Sequence, residues 1–70
     1  MEAETKIFGK GMGGLSTRVS TSDERVIRLL DEAERTSYGR ECRRQGSSRT
    51  WWCGQKVVAE VEALLADGAE

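Results

Sequence analysis

The chain predicts an α+β fold: one or two short N-terminal strands, then two amphipathic helices packed antiparallel, with a second copy of the chain completing the structure. Three observations predict it. Leu15–Ser20 alternates, with Leu15, Thr17 and Val19 on one side and Ser16, Arg18 and Ser20 on the other, the pattern of a half-buried strand. Val26, Ile27, Leu29, Leu30 and Ala33 then fall on one arc of a helical wheel. Finally, Leu, Ile, Val and Phe make up only 13 of the 70 residues. A core of that size rarely supplies more than about 3–5 kcal/mol, so a homodimer is the expected source of further stability.

Residues 1–14 read as a flexible glycine-rich arm, with Gly9, Gly11, Gly13 and Gly14. Within the arm Thr5–Phe8 suits a short strand, so either a hairpin through the glycines or a single strand after a loose arm fits. Residues 15–70 read as one strand-helix-helix domain. Gly9–Gly14 spells G-x-G-x-x-G, but a strand pattern follows it where a dinucleotide site needs a helix. The first helix opens at the capping box Thr21-Ser22-Asp23-Glu24, with Thr21 as N-cap. Its polar arc carries Glu24, Arg28, Asp31, Glu32 and Arg35. Tyr38-Gly39 offers a stop, although the pattern allows a run on to Gln45. Gly46-Ser47-Ser48 reads as the start signal of a second helix from Arg49 to Ala66, with Gly68 just past its end. On that helix Trp51, Gly54, Val58, Val61 and Leu65 keep 3- and 4-residue spacing, while Trp52 lies on another side above Ala59 and Ala63.

Composition excludes more than it identifies. With no histidine, Ser-His-Asp and Cys-His nucleophiles and His-containing zinc sites are ruled out. No pair of carboxylates stands in an apolar stretch that would split its pKa values for acid–base work. Cys42 lies among arginines and reads as a surface thiol. Cys53, on the apolar face of the second helix, reads as a core thiol; a disulfide between them is geometrically conceivable if the connecting segment folds back, but a cytoplasmic setting argues against it. The expectation is a non-enzymatic protein without cofactor or metal. Met1-Glu2-Ala3-Glu4 is acidic where a secretory signal is basic, and no apolar run can span a bilayer. The expected location is cytoplasmic.

The stretch from 35 to 56 differs from the rest. Arg35, Arg40, Arg43, Arg44, Arg49 and Lys56 stand against one acid, Glu41, a local charge of +5 in a chain whose net charge is -1. Next to a serine-rich helix start, such arginines make a phosphate site: backbone N–H groups at Ser47–Thr50, hydroxyls and guanidinium forks. Trp51 reads as core. Trp52 cannot face that core, and an exposed Trp suits either base stacking or a protein partner.

The alternating strand, the capped helix and the Gly46-Ser47-Ser48-Arg49 segment together resemble the ribbon-helix-helix family of bacterial and phage DNA-binding regulators. The resemblance covers about 50 residues, and Tyr38–Gln45 is an extra polar segment where that family has a short turn. It implies a two-chain antiparallel ribbon in the major groove. By position, Ser16, Arg18 and Ser20 would face the bases, and Ser47, Ser48 and Arg49 would grip phosphate. The leading expectation is therefore a homodimeric DNA-binding transcriptional regulator. In it Arg18 reads bases, while Arg40, Arg43, Arg44, Arg49 and Lys56 hold phosphates. The alternative is a small inhibitor or adaptor of the kind phages and mobile elements encode. Its contact face would be Trp52, Ala59 and Ala63, with the arginine segment meeting an acidic partner protein.

Overall fold

The computed structural model describes residues 4–9 and 14–67. The expected flexible arm lies outside the described residues at 1–3 and 10–13, as does the expected helix stop at Gly68. Chain order is β1 (Thr5–Phe8), β2 (Thr17–Thr21), α1 (Glu24–Ser37), β3 (Cys42–Arg44), β4 (Thr50–Cys53) and α2 (Gln55–Asp67). The four strands form one antiparallel sheet in the order β1-β2-β4-β3. This corrects the expected fold: a strand pair separates the two helices, which are not consecutive. Because β2 and β3 each run antiparallel to β4, they are parallel to each other, and α1 connects them in a split β-α-β unit.

β1 and β2 form the hairpin that was one of two options for the N-terminal segment. Period-2 alternation places Thr17, Val19 and Thr21 on the inner face, buried, and leaves Arg18 outside. Leu15 and Ser16 precede the strand. Cross-strand partners share a face, so the inner rows are Thr17–Cys53–Cys42 and Ile7–Val19–Trp51–Arg44. Against them pack Val26 and Leu30 of α1 and Val57, Val58 and Val61 of α2, with Ile27, Leu29, Leu64 and Leu65 around the rim. Both helices therefore cover one face of the sheet.

The cap of α1 sits two residues later than expected. Thr21 stays in β2, and its Oγ1 accepts from the Asp23 N–H at 3.0 Å. Asp23 is the N-cap, its Oδ1 accepting from the Arg25 N–H at 2.9 Å. The helix ends before Tyr38, which takes a left-handed conformation at φ 54°. There the N–H of Gly39 donates to the carbonyl of Glu34 at 3.0 Å.

A second helix beginning at Arg49 is also overturned. Thr50-Trp51-Trp52-Cys53 is strand, and its aromatic and β-branched residues suit a pleated surface. Gly46-Ser47-Ser48 forms the β3–β4 turn rather than a helix cap. Gly46 has φ +58°, and the Ser48 N–H donates to the carbonyl of Gln45 at 3.1 Å. α2 begins only at Gln55. Cys42, expected at the surface, is fully buried beside Cys53. Among the described residues no helix is long and apolar enough to cross a membrane.

Candidate functional site

Among the described residues no helix covers the outer face of the sheet. The register brings four side chains into one row across all four strands: Phe8 of β1 opposite Arg18 of β2, Arg18 opposite Trp52 of β4, and Trp52 opposite Arg43 of β3. Aromatic and guanidinium groups alternate along it. The Arg18 guanidinium carbon lies 4.8 Å from the centroid of the Phe8 ring and 6.0 Å from that of Trp52, both within cation–π range. The Trp52 indole N–H donates to Gln45 Oε1 at 3.0 Å, which fixes the ring's orientation. At the β3 end the Arg43 guanidinium lies against Gly39. A Cβ there would stand 3.2 Å from Arg43 Nη2, tighter than ordinary contact, at a residue whose φ of +78° already favours glycine.

A second row runs beside the first. Lys6 pairs with Ser20, and Ser20 with Thr50, whose hydroxyls are 3.0 Å apart. Lys6, Ser20, Ser22, Arg49 and Thr50 line a shallow hollow of about 310 Å³, with Glu4 as the acid among its lining residues. At the paired positions of both rows the face bears Lys6, Arg18 and Arg43 and no carboxylate. The ion pairs Arg25–Asp23 and Arg35–Glu32 lie at α1 and draw on none of these cations.

The expected site residues separate into groups. Arg18, Ser20, Arg43, Arg49 and Trp52 come together on or beside this face. Ser16 is half-buried just ahead of β2. Ser47 and Ser48 are exposed in the β3–β4 turn, where the Ser48 hydroxyl donates to the carbonyl of Gln45. Arg40 is exposed in the α1–β3 loop. Arg44 turns inward: its guanidinium carbon lies 4.7 Å from the Trp51 ring centroid and its Nε donates to the carbonyl of Ser48 at 2.6 Å. Lys56 lines a groove between α1 and α2 in company with Glu32, Glu41 and Glu60. Ala59 and Ala63 are exposed on α2, in the helical layer, so they share no surface with Trp52.

Sequence reasoning missed Phe8, Lys6 and Gln45, and used Thr50 only for its backbone N–H at a helix start. Alternation within Thr5–Phe8 puts Lys6 and Phe8 on one side, a signal that is present in the residues. Only the pairing of β1 with β2 shows that this side continues Arg18 and Trp52.

The chain matches no protein-family model, no curated protein and no solved structure in the three comparisons made.

Proposed function

We propose that this is a non-enzymatic nucleic-acid-binding protein that takes an unpaired strand on the outer face of its sheet. The observation that carries the reading is the row Phe8–Arg18–Trp52–Arg43. Every base has a π-face, and stacking on an aromatic side chain is worth about 1–3 kcal/mol per base. Phe8 is 41% exposed and Trp52 half-buried, so both offer a ring to a ligand. Arg18 between them supplies charge to the backbone, and the hydroxyl-lined hollow with Lys6 and Arg49 suits a phosphate group. An open sheet face four strands wide fits splayed bases better than a duplex groove.

A DNA-directed regulatory role, a homodimer and a cytoplasmic setting belong to the same proposal. The dimer has a physical route, because among the described residues neither β1 nor β3 has a second neighbouring strand.

The test is a fluorescence titration of the full chain with mixed-sequence single-stranded and duplex DNA at low and moderate salt. The single strand should bind more tightly and quench tryptophan emission, with affinity falling as salt rises. Absence of binding at low salt, or a preference for duplex, overturns the reading. Binding of an acidic protein segment to Trp52 in place of DNA would establish the adaptor alternative.

A further inference from the structure

Cys42 and Cys53 stand directly opposite each other in the β3–β4 ladder. Their sulfurs are 3.7 Å apart, and both are free thiols with no exposed surface. Directly opposed residues of an antiparallel pair have Cα atoms about 4.5–5.5 Å apart, inside the span a disulfide needs. Closing the bond therefore requires side-chain rotation with little backbone movement. Access comes from the edge: β3 is three residues long and, among the described residues, is paired on one side only. Such a strand opens locally at far less cost than the whole fold. In the closed state the Cys42 thiol is pushed up by its hydrogen bond with Cys53 and by burial, so it rests protonated.

We propose that Cys42 and Cys53 form a reversible dithiol–disulfide couple whose oxidant is a low-molecular-weight disulfide such as oxidised glutathione. One cysteine thiolate, exposed as β3 opens, attacks a glutathione sulfur. The glutathione S–S bond breaks and one glutathione thiolate leaves. The second cysteine thiolate attacks the protein sulfur of the mixed disulfide, the Cys42–Cys53 bond forms, and the second glutathione thiolate leaves. Two electrons pass from the protein to glutathione, and the protons lost by the cysteines end on the two glutathione thiols. The bond lies on the inner face beneath the neighbouring Arg43–Trp52 pair, so it fastens together the two strands that carry half of the outer row. The couple does not depend on what the outer face binds.

The experiment equilibrates the native full chain in glutathione buffers from reducing to oxidising, then quenches with acid, alkylates and weighs the products. The expected product has lost two hydrogens, takes no alkyl group, and melts about 10 °C higher than the reduced form. Thiols that stay free at every ratio overturn the proposal. So do glutathione adducts on both cysteines, chains linked to one another, or an internal bond that leaves the melting temperature unchanged or lower.

Discussion

Trp51 and Trp52 are adjacent in the chain and belong to opposite worlds. Trp51 is fully buried, under the guanidinium of Arg44, and its indole N–H has no hydrogen-bond partner among the described residues. Trp52 is half-buried on the face without helices, with its N–H held by Gln45 and its ring beside Arg18. A β-strand turns one residue through half a revolution, so neighbours divide between fold and surface. The inner face of this sheet is spent on cohesion. The outer face, with its aromatic–guanidinium row, is the one we propose for recognition.

The largest effect that could break this division is at the inner ring. Trp51→Ala removes the largest fully buried side chain and should cost about 3–5 kcal/mol. That is comparable with the whole stability of a domain this small, so circular dichroism should show an unfolded chain at 25 °C. Trp52→Ala should melt within a few degrees of the parent while losing about tenfold or more in single-strand affinity. If the two substitutions destabilise equally, the faces are not distinct in the way described.

Smaller changes away from both faces sharpen the contrast by moving stability without moving binding. Asp23→Ala removes the α1 cap and should cost about 1 kcal/mol in urea denaturation, with single-strand affinity unchanged in the folded fraction. The Arg25 side chain, bonded to this carboxylate, holds its pKa below the ordinary value, and burial opposes the shift. A lowered folded pKa means that the stabilisation is complete above the unfolded value of about 3.9 and is lost as pH falls through the folded one. Asp23→Asn keeps the cap and should flatten this acid-side loss. The last expected effect is of similar size and has the opposite sign. Tyr38 is 89% exposed at φ 54°, and Tyr38→Gly should relieve the left-handed strain and stabilise by about 1 kcal/mol in the same denaturation.

Legibility followed the periodicity. β2 and α1 each carry a single period, so alternation over Leu15–Ser20 and the stripe from Val26 to Ala33 gave the right element in both places, with the strand read two residues early at its start and the helix end left open between Tyr38 and Gln45. Thr50–Cys53 carries two patterns. Trp51, Val58, Val61 and Leu65 keep helical spacing, while Trp51 and Cys53 alternate with Thr50 and Trp52 as a strand does. A short apolar run satisfies both periods, and here hairpin pairing across Gly46 decided between them. The turn residues misled for a related reason, since Gly-Ser-Ser serves equally as a helix start and as a reverse turn. Arg18 and Trp52 were visible singly as side chains that could not face the core. Their adjacency was not visible, because register is a long-range property that links residue 8 to residue 18 and residue 18 to residue 52.

The two indoles also provide the most direct test, since each gives its own N–H signal in a proton–nitrogen correlation spectrum. Adding a short single-stranded oligonucleotide should shift the Trp52 indole and the backbone signals of Phe8, Arg18 and Arg43, and leave the Trp51 indole and α2 unmoved. A spectrum that stays still, or one whose changes gather at Ala59 and Ala63 on the helical layer, would contradict the assignment of recognition to the outer face.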